Sequence, residues 1–140
     1  MFATSENVLS AFSTLLAVLI VIYTFAQAGR LRHKHGIEAP ATTGHPQFER
    51  ALRVQMNTVE QFVIFFPVLW LASIYFHYFA WLPAILGVIW CVGRILYSIA
   101  YIADPKRRGI GFNISFAASM VLLVLAALGI VNTWIAVNAS

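Results

Sequence analysis

Arg53, Asn57 and Glu60 stand at i, i+4 and i+7, a spacing that places all three on one face of a helix. Further along, Arg94, Tyr97 and Tyr101 stand at i, i+3 and i+7 and share a face in the same way. Arg107 and Arg108 follow in a short basic turn. Brought together, these residues make a site with several cations, one carboxylate, one amide and two phenols. Guanidinium forks grip carboxylates with two parallel hydrogen bonds, and Arg rather than Lys dominates here. A single glutamate cannot neutralise Arg53, Arg94 and the Arg107/Arg108 pair, so the set is short of negative charge. Glu60 alone could pair with Arg53 or Arg94 to fix helix register, lipid headgroups could supply the anions, or a small ligand could.

These residues lie in a chain of 140 residues that is 61% hydrophobic and 10% charged, with a mean hydropathy of +0.81. A water-soluble domain carries about 25% charged residues, so the composition implies one domain in a bilayer. Four segments are long and apolar enough to cross, near 8–28, 47–79, 82–103 and 112–137. The second carries Arg50, Arg53, Asn57 and Glu60 in its first half, and Pro67 should kink it. An arginine at the centre of a membrane helix costs roughly 2.5–3.5 kcal/mol, so such groups face a bundle interior or a site. Short connections imply an all-α, up-down four-helix bundle, with the start of span two beside the end of span three. The loops at 29–44 and 104–109 are basic. The positive-inside rule puts them and the site on the cytoplasmic side, and both termini on the other. The first span has no preceding basic residue or clear cleavage site, which reads as a retained helix. The cluster Tyr75 to Trp81, with Trp134, suits an interfacial belt.

Other functions fit less well. The net charge is +4 and the pI near 9.6, yet the nine basic residues fall in three short stretches instead of lining one polar face, which argues against nucleic acid. Cys91 is the sole cysteine and sits in an apolar run, as a buried small hydrophobe would. His33, His35 and His45 have no evident third ligand, so a solvated loop is expected and no metal; His77 reads as interfacial. Spans one and four lack a polar pathway, which disfavours a transporter.

Glutathione meets the charge pattern: two carboxylates for arginines, an α-ammonium for Glu60, and peptide groups for Asn57 and the tyrosines. The stretch from Thr42 to Glu60, containing Glu49-Arg50-x-x-Arg53-x-x-x-Asn57-x-x-Glu60, resembles the signature of the MAPEG family, the membrane-associated proteins in eicosanoid and glutathione metabolism. Gly93 to Tyr101 and Lys106 to Phe112 resemble the same family's third helix and following loop. The likeness runs over nearly the whole chain and is strongest to the leukotriene C4 synthase and microsomal glutathione transferase branch. It implies a homotrimer with one glutathione site at each subunit interface. It further implies glutathione binding by Arg53, Gln55, Asn57, Glu60, Tyr97 and Tyr101, and by Arg32 in the loosely aligned first loop. Arg108 matches the arginine that activates the thiol, with Arg107 a neighbour able to substitute; Arg50 and Arg94 match supporting arginines. Tyr97 stands where the prostaglandin E synthase branch has histidine, which argues against that isomerase activity. Arg53, Asn57 and Glu60 argue against the family's non-enzymatic lipid-presenting member. The resemblance thus implies a transferase joining glutathione to lipophilic electrophiles from the bilayer, in detoxification or lipid metabolism, with peroxidase activity beside it. A non-catalytic protein that holds glutathione or lipid is the alternative.

Overall fold

A computed structural model describes residues 5–139, and every described element is helical. Helix α1 runs Ser5–Lys34, α2 Pro46–Tyr75, α3 Leu82–Ala103 and α4 Gly109–Asn138, with a single 3-10 turn at Pro105–Arg107. All four helices are long and apolar enough to cross a membrane, and the chain is an integral, multi-pass membrane bundle. At about 1.5 Å per residue, the 30-residue helices reach roughly 45 Å, beyond a hydrocarbon core of about 30 Å. Their ends therefore carry polar residues out to the headgroup level.

Two helix ends depart from the hydropathy pattern. Helix α1 continues past Ala28 to Lys34, because Arg32, His33 and Lys34 in its last turn suit the negative end of the helix dipole. Gly36, at φ +62, then adopts the left-handed conformation that turns the chain away. Helix α2 stops at Tyr75, short of Phe79, and Phe76 is already extended. The aromatic run after it is apolar enough to continue a hydropathy pattern while forming a turn. At its start α2 is capped by His45, whose Nδ1 accepts from the Gln47 amide at 3.2 Å. Helix α2 remains helical through Pro67 to Tyr75.

Helices α2 and α3 form the central pair, and each packs against both α1 and α4. The core between them is built on the stacked rings of Phe65 and Trp90, 4.3 Å apart, with Ile20, Leu69 and Leu122 around them. Small residues set the helix spacing. A Cβ on Gly87 would lie 2.6 Å from Ser13 Oγ, and one on Gly93 would lie 2.7 Å from the Ser115 amide nitrogen. Gly111 faces the Tyr97 backbone more closely still. With no hydrophobic drive between helices in lipid, such close backbone approach supplies the packing energy. Ser10 and Ser73 join α1 to α2 at 2.6 Å, and Gln27 accepts from Ser98 across α1 and α3 at 3.1 Å. The outward faces carry Phe12, Leu15, Leu19, Val63 and Val124, the surface that acyl chains would cover. Tyr78, Phe79, Trp81 and Trp134 are exposed at the end remote from the arginines, as a belt requires.

Candidate functional site

The antiparallel crossing of α2 and α3 brings the first turns of one beside the last turns of the other. Arg50 marks this register: its Nη1 donates to the carbonyls of Ile102 at 3.3 Å and Ala103 at 3.2 Å. It thereby satisfies carbonyls that the end of α3 leaves without helical partners.

Two helical turns deeper on α2 and two turns back on α3, the polar residues meet. Arg94 is wholly buried, and its Nη2 donates to Thr58 Oγ1 at 2.8 Å and to Asn57 Oδ1 at 3.1 Å. Its guanidinium lies 4.2 Å from the centre of the Tyr97 ring, a cation–π contact. Asn57 in turn donates through Nδ2 to Glu60 Oε2 at 3.2 Å, and Glu60 Oε1 lies 3.9 Å from Arg53 Nη1. A continuous polar relay thus runs from the buried arginine to an exposed ion pair. That pair is loose and half exposed, 54% for each side chain, so it contributes little stability by itself and leaves both groups open to a ligand. Of the two ion pairs open to Glu60 in the sequence, the structure shows the one with Arg53. Among the described residues, Arg94 and Arg108 have no carboxylate within 4.0 Å. Two further nitrogens of Arg94, Nε and Nη1, are buried without a hydrogen-bond partner.

Above this relay, Arg53, Asn57, Tyr97, Arg108 and Phe112 line a cleft of about 350 Å³, within the range of roughly 300–1,000 Å³ typical of small-molecule sites. Tyr97 stacks on Tyr101 at 5.5 Å, and Arg108 lies 5.9 Å from the Tyr101 ring centre. Arg53 and Arg108 are therefore two guanidiniums on one cleft, the arrangement that carboxylates or a thiolate would neutralise.

The turn between α3 and α4 separates its two arginines. Arg107 Nε lies 3.7 Å from Asp104 Oδ2, and the residue borders a different groove, while Arg108 joins the cleft. Arg32 donates to the Ala41 carbonyl at 2.8 Å and lies 4.6 Å from the Phe48 ring centre, folding back the loop after α1. Gln55 is half buried and sits about 200° around α2 from Arg53. A single chain thus leaves Arg32 and Gln55 away from the cleft. His35 and His45 stack at 3.5 Å, and His35 contacts Gln47 Oε1 at 3.1 Å. Cys91 is buried near the Ser13 carbonyl. Thr58 and Phe112 were not singled out from sequence. A threonine beside Asn57 on the buried side of a charged helix is the signal that would have found the first.

The family model for the MAPEG family matches residues 10–128. This chain belongs to the MAPEG family. Its relatives include a human protein named microsomal glutathione S-transferase 2, 36% identical over 130 residues, covering 93% of this chain and 87% of the other. Guinea-pig (Cavia porcellus) leukotriene C4 synthase is 38% identical over 125 residues, 89% and 82% of the two chains. An uncharacterized protein of Synechocystis is 43% identical over 126 residues, 90% of each. These matches span nearly the whole bundle, so the MAPEG identification covers the helices that build the cleft.

Proposed function

We propose that this MAPEG protein is a membrane-bound glutathione transferase that holds glutathione as co-substrate in the α2–α3–α4 cleft. The observation that carries this reading is the cleft's charge: Arg53 and Arg108 on its walls, and Glu60 held at the end of the Asn57–Arg94 relay. In this reading Arg53 takes a glutathione carboxylate, Glu60 its α-ammonium, and Asn57, Tyr97 and Tyr101 its peptide groups and backbone. The name of the human relative, microsomal glutathione S-transferase 2, gives that protein the same co-substrate.

The thiolate is the reactive form, and an ordinary thiol titrates near about 8.5, which leaves only a few per cent ionised at neutral pH. Lowering that value by about two units takes about 2.7 kcal/mol of preference for the anion. A guanidinium about 4 Å away in a partly desolvated site can supply that much, since the Coulomb energy there is about 4 kcal/mol. Arg108 is assigned this role over Arg107 because Arg108 borders the cleft whereas Arg107 faces Asp104. The thiol proton passes to water, and the sulfur lone pair attacks an electrophilic carbon. A halide leaves, or an epoxide C–O bond opens and the alkoxide takes a proton from water. The electrophile arrives from the bilayer, and peroxidase chemistry at the same thiolate belongs to this reading.

The protein assembles as a homotrimer in this proposal, with Arg32 and Gln55, apart from the cleft in one chain, offered to a neighbour's site. The basic loops and the site face the cytoplasm. Titrating glutathione into the detergent-purified protein tests the transferase reading by ultraviolet difference at the thiolate band. A thiolate signal saturating with glutathione, together with conjugation of a chlorinated nitrobenzene, is expected. Binding without either signal would make it a non-catalytic glutathione carrier instead.

A further inference from the structure

We propose that the groove between α3 and α4, on the side away from the cleft, is a binding site for an anionic phospholipid. Lys106 and Arg107 hold its phosphate, and Leu96, Ala100 and Ile110 hold the first part of an acyl chain. The proposal is independent of the transferase reading. The groove has a volume of about 440 Å³, and Gly109 is the one lining residue it shares with the cleft. The 3-10 turn Pro105–Arg107 sets consecutive arginines on opposite sides of the α4 N-terminus, so Arg107 borders the groove and Arg108 the cleft.

Two features of this groove point to one ligand chemistry. Its mouth is cationic: Lys106 forms no ion pair among the described residues, and Arg107, 78% exposed, meets Asp104 only loosely, through Nε at 3.7 Å. The other carboxylate oxygen of Asp104 already accepts from the Lys106 backbone amide at 3.0 Å. The nearby acid therefore does not quench both side chains. Its floor is apolar and open: Leu96 is 43% and Ile110 73% exposed, and the close backbone approach at Gly111 sinks the surface between them. Leu96 lies seven residues before the end of α3 at Ala103, about 10 Å along the helix from the turn that carries the cations. A soluble anion would use the cations and leave the floor bare. A zwitterionic lipid would cover the floor with its own positive headgroup pressed against Lys106. A lipid with a net negative headgroup satisfies both, and each cation near such a surface contributes about 1 kcal/mol.

The test uses the full-length protein in detergent, measuring lipid retention by native mass spectrometry and the melting temperature. Phosphatidylglycerol and phosphatidylcholine of identical acyl chains are the probes, with inorganic phosphate as a third. Phosphatidylglycerol should bind the parent at least about tenfold tighter than phosphatidylcholine, and Lys106→Gln/Arg107→Gln should reduce that preference to under about threefold. Ala100→Trp, which keeps every charge and fills the floor, should weaken both lipids. Equal binding of the two lipids by the parent, a comparison that needs no variant, would overturn the proposal. So would a preference that survives the double substitution. Displacement of phosphatidylglycerol by inorganic phosphate at equal concentration would mean a bare phosphate site without an acyl groove, and would also overturn it.

Discussion

Arg94 Nη2 donates to Asn57 Oδ1 at 3.1 Å while the same guanidinium lies 4.2 Å from the Tyr97 ring centre. One buried cation on α3 thus sets the orientation of two cleft-lining side chains on different helices. The Asn57 oxygen is occupied by Arg94, which leaves its NH2 group to donate to Glu60 at 3.2 Å. Two cleft-lining groups are thus held by a residue that does not itself line the cleft, as a precise site requires.

Arg94→Lys tests this support. An ammonium is a compact point charge without the planar fork, so it cannot serve Asn57 and Thr58 while covering the Tyr97 ring. The variant should fold, melt several degrees lower, and bind glutathione about tenfold more weakly, equivalent to about 1.4 kcal/mol. Arg94→Ala should be worse, since it leaves a cavity and unpaired acceptors, at about 3 kcal/mol or more. Calorimetric titration alongside thermal melting of the detergent-solubilised protein reads both effects. Wild-type affinity in Arg94→Lys would remove the positioning role.

Glu60→Gln separates the ammonium contact from general charge. The substitution keeps an acceptor for Asn57 but removes the anion. Glutathione affinity should fall about tenfold, in line with roughly 1.5–3 kcal/mol for hydrogen bonds to charged groups. For a glutathione analogue lacking the α-amino group, parent and variant should differ by less than about twofold. Equal losses for both ligands would mean that Glu60 acts only through Arg53.

Arg108→Ala should lower kcat/KM for conjugation by about a hundredfold, near the 2.7 kcal/mol asked of that side chain. The loss should exceed that of Arg107→Ala at least tenfold. The sign in pH follows from charge. A cation beside the thiol favours its anionic form, so the parent's rate should level off well below the ordinary thiol value of about 8.5. In Arg108→Ala the inflection should move up toward that value. A pH–rate profile that does not shift would exclude Arg108 as the thiolate's counter-ion.

The polar face of α2 and its meeting with α3 were legible in sequence, because helical spacing and antiparallel order alone place Arg53, Asn57, Glu60, Arg94 and Tyr97 together. The separation of Arg107 from Arg108 was not. It depends on a 3-10 turn of three residues whose rotation no periodic pattern reports. The end of α2 at Tyr75 was hidden for a related reason, since the aromatic turn after it has the hydropathy of a helix. The partner of Glu60 was left open between Arg53 and Arg94 because both spacings allow contact. The structure sets it beside Arg53 at 3.9 Å, with Asn57 standing between Glu60 and the Arg94 guanidinium.

Gly111 offers a test that links packing to the site. A Cβ built there would strike the Tyr97 amide and would lie 2.7 Å from both Tyr97 Cα and the Gly93 carbonyl oxygen. All three are backbone atoms, so no side chain can swing aside; α3 and α4 must separate. Overpacking of this kind costs about 1–3 kcal/mol. Because Tyr97 and Phe112 both line the cleft and flank this contact, glutathione affinity should fall together with stability in Gly111→Ala. Gly29→Ala is the control, since its Cβ would meet nothing within 4 Å in the interior of α1. There alanine should stabilise the helix by up to about 1 kcal/mol and leave affinity alone. Thermal melts and glutathione titrations of the two variants give opposite signs in stability if the α3–α4 backbone contact holds the cleft. A Gly111→Ala protein as stable as the parent would show that the helices approach less closely than this contact requires.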